Sequence, residues 1–276
     1  MKHTLLAVAA AVFAAVPFGA QGHGHGHQPP LKSAAVETLK KGDFAKASEL
    51  LAAEIKANPG EPRLKQIYAG LKSQIRREKL FEQENDPGMI VLIGKEMRKF
   101  YNTYGLYAKS VPVDRKIYAA APTFQNGVAL GVTLLNAEMN EEAARIFGKL
   151  DLSKAQPGPA LCGALAFARV GKKAESEKLT ARFDASKLDS NCLGLRARCA
   201  ARNGDAEKAA ALAARILEST PASRHGSIKR HLFGSADFKK VAADAKFQAA
   251  LKTASKVKDG CANCPNHGTD KCDHKH

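Results

Sequence analysis

The chain contains no tryptophan, and aromatic residues are only 6% of its 276. Stretches that alternate apolar and polar residues are nearly absent, which excludes a fold built mainly on half-buried strands. No apolar run reaches the roughly 20 residues that a membrane-spanning helix needs. No nucleophile elbow, phosphate-binding glycine loop, HExxH pair or carboxylate pair placed with a histidine occurs, so nothing in the motifs points to an enzyme. With few large rings available, the core must come from smaller side chains. Alanine is abundant and favours closely packed helices.

What is present begins with a charged start at Lys2 and the run Leu5 to Phe18, too short to span a bilayer. A basic start, a short apolar core and a small-residue exit predict a secretory signal peptide, residues 1–22. Cleavage after Gly22 suits the small-residue rule better than cleavage after Ala20. The expected product is exported, periplasmic or secreted, with no transmembrane segment once the signal is removed. The formal net charge of +16 favours acidic partners. The basic residues are spread at helical surface spacing, however, as in a solvated surface, and export argues against nucleic acid.

The body reads as helix. Phe44, Ala47, Leu51 and Ile55 share one helical face, as do Leu64, Ile67, Leu71 and Ile75. Ile90, Ile93, Met97 and Phe100 form a third stripe, and Phe124, Val128, Val132 and Leu135 a fourth. "MIVLIG", Met89 to Gly94, is strand-like alone, but its stripe continues to Phe100 and predicts a helix. "GDFAKASEL" from Gly42 aligns with "MNEEAARIF" from Met139, "GKKAESEKL" from Gly171 and "GDAEKAAAL" from Gly204. A small residue stands sixth (Ala47, Ala144, Ser176, Ala209) and a large one ninth (Leu50, Phe147, Leu179, Leu212). The separations fit a unit of about 33 residues, with space for two degenerate units between Leu64 and Ser110. Pro59 and Pro221 follow two of the segments at the same distance.

This pattern resembles the tetratricopeptide (TPR) repeat. "GDFAKASELLAAEIKANP" and "GDAEKAAALAARILESTP" look like its second helix and exit turn. The family's Trp, Leu-Gly and Tyr positions in the first helix are mostly not met. The resemblance implies an all-α, right-handed helix-turn-helix solenoid over residues 31–255. It also implies a groove, lined by first helices, that holds a protein or peptide. Arg169, Arg198 and Arg202 fall on predicted first helices, either to meet acidic groups or to form a solvated edge. Phe238 and Phe247 are expected to cover the end of the last unit.

Six cysteines divide three and three. A disulfide from Cys162 to Cys192 or Cys199 could clamp adjacent units; the alternative is three buried thiols. Cys261, Cys264 and Cys272 lie in a polar tail, residues 256–276, with His267, His274 and His276. No burial pattern exists there, so a flexible tail is expected. These ligands suit zinc or cuprous copper; a disulfide or a redox pair are the alternatives. Pro265 stands where c-type haem attachment would need histidine. The leader, residues 23–30, carries His23, His25 and His27. Cleavage at either site makes the third residue a histidine, which with the free amine and two amide nitrogens can surround copper(II) or nickel(II) in a square plane. Nine of the fourteen Cys and His residues beyond the signal lie in these two ends. His225 and His231 share no helical face and read as solvated surface. No cofactor is required by anything in the sequence; a zinc or copper ion is the candidate ligand. Two functions follow: a non-enzymatic scaffold for a protein or peptide partner, or a periplasmic metal carrier or buffer.

Overall fold

In the computed structural model, residues 31–258 are described, and among them the chain is all-helical, with no strand. They divide into two compact units, one running through Leu150 and the other from Asp151.

The first unit holds seven helices: α1 (Ala34–Lys40), α2 (Phe44–Ala57), α3 (Pro62–Gln83), α4 (Pro87–Thr103), α5 (Tyr107–Ala120), α6 (Phe124–Asn136) and α7 (Asn140–Gly148). Each packs on its chain neighbour within the pairs α1–α2, α4–α5 and α6–α7, and α3 packs on both α2 and α4. The apolar stripes read from the sequence do the packing. Phe44, Leu51, Leu64, Leu71, Ile90 and Met97 are buried in one cluster, with Ile55, Ile67, Ile75, Ile93 and Phe100 half-buried around it. "MIVLIG" is helical, inside α4. Glycines set the closest approaches: a Cβ on Gly131 of α6 would lie 2.6 Å from the Phe147 ring of α7.

The second unit holds α8 (Pro157–Arg169), α9 (Lys173–Thr180), α10 (Ser190–Arg202), α11 (Ala206–Glu218), α12 (Ala222–Ile228) and α13 (Ala245–Ala250). The pairs α8–α9 and α10–α11 pack internally, α8 packs on α10, and α13 closes on α11. Almost every side chain of α8 from Gly158 to Ala168 is buried, as expected for a helix apolar all round. Phe233, Phe238 and Phe247 form an aromatic knot, with Phe238 stacked on Phe247 at 5.4 Å and edge-on to Phe233 at 5.3 Å. Phe238 and Phe247 are buried in one cluster with the Ala-rich faces of α10 and α11. Burying each such ring is worth about 1.5–3 kcal/mol.

One local turn recurs. Among the described residues, positive φ occurs at Gly42, Gly105, Glu138, Gly171 and Gly204 and nowhere else. Each stands two residues before the second helix of a pair. At four of the turns the next residue's N–H donates to the carbonyl five residues back: Leu106 to Tyr101, Met139 to Leu134, Lys172 to Phe167 and Asp205 to Ala200, at 2.8–2.9 Å. That six-to-one bond ends a helix in the left-handed conformation. The residue five positions after each turn is small and fully buried: Ala47, Ser110, Ala143, Ser176 and Ala209. The sequence alignment is thereby corrected by one residue in its second segment, which begins at Glu138 rather than Met139. Ala143, not Ala144, takes the inner small position. Sequence similarity had followed the absent glycine, whereas the backbone turn fixes the register. Between Leu64 and Ser110, where two degenerate units were expected, stand one long helix, α3, and the first helix of a single pair, α4–α5.

Candidate functional site

Three arginines from α8 and α10 converge on one carboxylate in the second unit. Arg198 and Arg202 are one helical turn apart on α10, so they share a face. Arg169 stands at the last turn of α8, which packs on α10. Asp237 lies in a short 3-10 turn, Ala236–Phe238, held by the Phe238 side chain that follows it into the core. Its Oδ1 accepts from Arg169 Nε at 3.0 Å and Arg202 Nε at 2.7 Å. Its Oδ2 accepts from Arg169 Nη2 at 2.9 Å and Arg198 Nε at 2.6 Å.

Asp237 is 1% exposed, and the arginine side chains are 10%, 19% and 29% exposed for Arg169, Arg198 and Arg202. Burial by itself would raise the Asp237 pKa, but the hydrogen bonds and charges of the three guanidinium groups hold it far below the usual carboxylate range. It is therefore ionised at all ordinary pH. One carboxylate thus faces three guanidinium groups. Arg198 and Arg202 each spend only Nε on Asp237; among the described residues their Nη atoms have no further partner. These are planar donors suited to a second carboxylate or a phosphate. The solvated-edge alternative for these arginines is thus replaced by a partly buried ion cluster. The arginines stand out in the sequence by their place on predicted first helices, but Asp237 does not, being 35–68 residues away along the chain.

Cys162 of α8 and Cys192 and Cys199 of α10 are buried free thiols. Cys199 Sγ lies 3.9 Å from the Leu161 carbonyl, so the thiols sit in the α8–α10 contact. Burial pushes each of the three thiols up to about 12, with the Asp189 carboxylate adding to the effect at Cys192. Such thiols are neutral and poor nucleophiles at pH 7. Among the described residues no group of three His, Cys, Asp or Glu side chains is placed to hold a metal ion. His23, His25, His27, Cys261, Cys264, His267, Cys272, His274 and His276 lie outside the described residues, as does the signal-like segment. His225 is not a free surface group. Its Nε2 lies 2.8 Å from the Leu217 carbonyl and 3.0 Å from that of Thr220, at the carbonyl end of α11. His231 is exposed, as expected.

The first unit has its own buried carboxylate. Asp114 of α5 accepts from Arg98 of α4 at 2.9 Å and from the Thr133 hydroxyl of α6 at 2.6 Å. Burial raises its pKa, only partly offset by Arg98 and the hydroxyl bonds. It is fully enclosed, and it ties three helices together rather than offering a surface. No described helix is long and apolar enough to cross a membrane. Compared with known proteins, the chain matches no family model and none of the curated proteins.

Proposed function

We propose that the protein is an exported, non-enzymatic, tetratricopeptide-like scaffold with right-handed helix pairs. It binds a protein or peptide partner and carries accessory metal-binding ends. The recurring left-handed turn, with a buried small residue five positions on, supports the repeat reading. The observation that carries the binding reading is the arrangement of Arg198 and Arg202. Two partly buried guanidinium groups with unspent donors favour a partner that brings an acidic side chain. A charge-assisted hydrogen bond of this kind is worth about 1.5–3 kcal/mol.

The test leaves the protein unchanged and alters the ligand. Peptides rich in Glu and apolar residues are compared with Glu→Gln versions by fluorescence anisotropy on the full chain. A tenfold or larger loss on neutralising one position is the expected result, with Arg198 and Arg202 chemical shifts moving on binding. Equal affinity for both peptide sets, or no binding by either, ends this reading.

A second reading, a periplasmic zinc or copper carrier or buffer, is favoured by the clustering of nine Cys and His residues at the two ends. Titration of zinc, copper(I) and copper(II) into the full chain separates the two. Under the carrier reading, changing Cys261, Cys264 and Cys272 to Ser and His23 and His25 to Ala abolishes tight binding and transfer to an acceptor chelator. Under the scaffold reading, peptide affinity survives those changes.

A further inference from the structure

Helix α3 carries a row of cations that the proposed function does not use. Lys65, Lys72, Arg76 and Lys79 are all exposed. Their spacing of seven, four and three residues returns each to the same side of the helix, with Ala69 and Gln83 completing the line. At 1.5 Å per residue the four charges span about 21 Å. The buried residues Leu64, Leu71, Gln74 and Phe81 lie on the opposite side and face α2 and α4. No exposed residue of α3 between Lys65 and Lys79 is acidic, and Glu78, half-buried, accepts from the Tyr101 hydroxyl at 2.6 Å. Among the described residues none of the four cations forms an ion pair; Lys72 only lies over its own helix's Tyr68 ring at 5.3 Å. Beside the row, Leu80 stands 55% exposed.

We infer that this face of α3 docks on an anionic phospholipid surface. Three candidate occupants are distinguished by what the face offers. A partner helix would need an apolar seam at these heptad-like positions, and they are charged instead. A single nucleic-acid strand would need a series of open aromatic rings on which to stack, whereas Tyr68 beside the row is half-buried and lies under Lys72. A layer of lipid phosphates needs only exposed cations along one side of a helix, with an exposed apolar side chain beside them to enter the headgroup region. Lys65, Lys72, Arg76, Lys79 and Leu80 provide that set.

The full chain is mixed with vesicles of phosphatidylcholine containing 30% phosphatidylglycerol, and with phosphatidylcholine alone, and sedimented. Neutral vesicles report any binding through the apolar segment Leu5–Phe18. Excess binding to the anionic vesicles is expected, falling as NaCl rises from about 0.05 to 0.5 M as the charges are screened. Changing Lys65, Lys72, Arg76 and Lys79 to Gln should remove that excess, with a drop of about fivefold in partition coefficient per cation. Changing Lys65 and Lys72, or Arg76 and Lys79, should each give an intermediate loss, and circular dichroism reports whether each variant is folded. A control with Lys149, Lys154, Lys178 and Lys187 changed to Gln has the same net charge and should keep the excess. The inference is overturned by no preference for anionic vesicles, by equal loss in row and control variants, or by row variants that bind as well as the parent. Tighter binding to a single-stranded oligonucleotide than to the vesicles would also overturn it.

Discussion

Arg169 grips Asp237 with two parallel hydrogen bonds, Nε to Oδ1 at 3.0 Å and Nη2 to Oδ2 at 2.9 Å, across 68 residues of chain. This pair fastens the closing segment of the second unit to the helix pairs before it. The Phe238 ring, next in sequence, inserts into the core at the same point. A charged lock and an apolar plug therefore act on consecutive residues.

Replacing Asp237 by Asn leaves three guanidinium groups around a neutral, buried amide. Breaking a buried pair by removing one partner costs about 3–5 kcal/mol. Urea denaturation of the full chain should show a loss of that order. A loss below about 1 kcal/mol would show that the cluster is not a lock.

The same residue sets an acid limb. Its pKa is depressed in the folded chain, so its contribution is fully present above the unfolded value near 4 and is lost as pH falls through the folded value. Asp114 has the opposite sign: its pKa is raised, so its ionisation erodes stability as pH climbs from about 4 through the folded value. Thermal melts from pH 2 to 7 should show a flatter acid limb for Asp237→Asn. Asp114→Asn should lose the opposing slope just above pH 4. Identical pH profiles for parent and Asp237→Asn would refute the assignment.

The left-handed turns give a pair of opposite effects. A Cβ on Gly204 would meet nothing within 4 Å, so Gly204→Ala isolates the backbone cost. With φ at 78°, that cost is about 1 kcal/mol. Glu138, at φ 60°, is the non-glycine residue at an equivalent turn, and Glu138→Gly should stabilise by a similar amount. Chemical denaturation of both variants checks the signs, and the same sign for both would contradict the turn assignment.

Gly131 is kept small by contact rather than by conformation. Its Cβ would enter the Phe147 ring, and overpacking of this kind costs about 1–3 kcal/mol. Gly148 has open space at the end of α7, and Gly148→Ala should instead be neutral or stabilising. Melting temperatures that fall equally in the two variants would count against the close α6–α7 packing.

Cys162, Cys192 and Cys199 should resist iodoacetamide at pH 7.5 in the native chain and be labelled in 6 M guanidinium without a reductant. Peptide mass spectrometry reads both states. Labelling in denaturant only after reduction would show that two of them are bridged.

The helices were largely legible because their causes are local. Apolar residues three and four apart define the buried faces of α2, α3 and α4, whereas α6 is buried nearly all round, with Phe124 and Val132 of the expected stripe only half-buried. Side-chain caps begin helices where Asp43 accepts from the Lys46 N–H and Asp205 from that of Lys208. Glycine marks four of the five turns. The register at Met139 was misread because Glu138 adopts the left-handed conformation without a glycine to announce it. α3 was misread because an uninterrupted helix and a degenerate pair give the same apolar spacing.

By itself the sequence determined which stretches are helical and which faces they bury, since those depend on neighbours within a turn or two. Only the tertiary structure decided what the arginines meet and which cations stay unpaired. Asp237 carries no periodic mark that ties it to residues 169, 198 and 202, and a charge pairing made across the fold leaves no spacing to read. Lys65, Lys72, Arg76 and Lys79 were visible as a spacing, but their lack of a partner is a property of everything packed around α3.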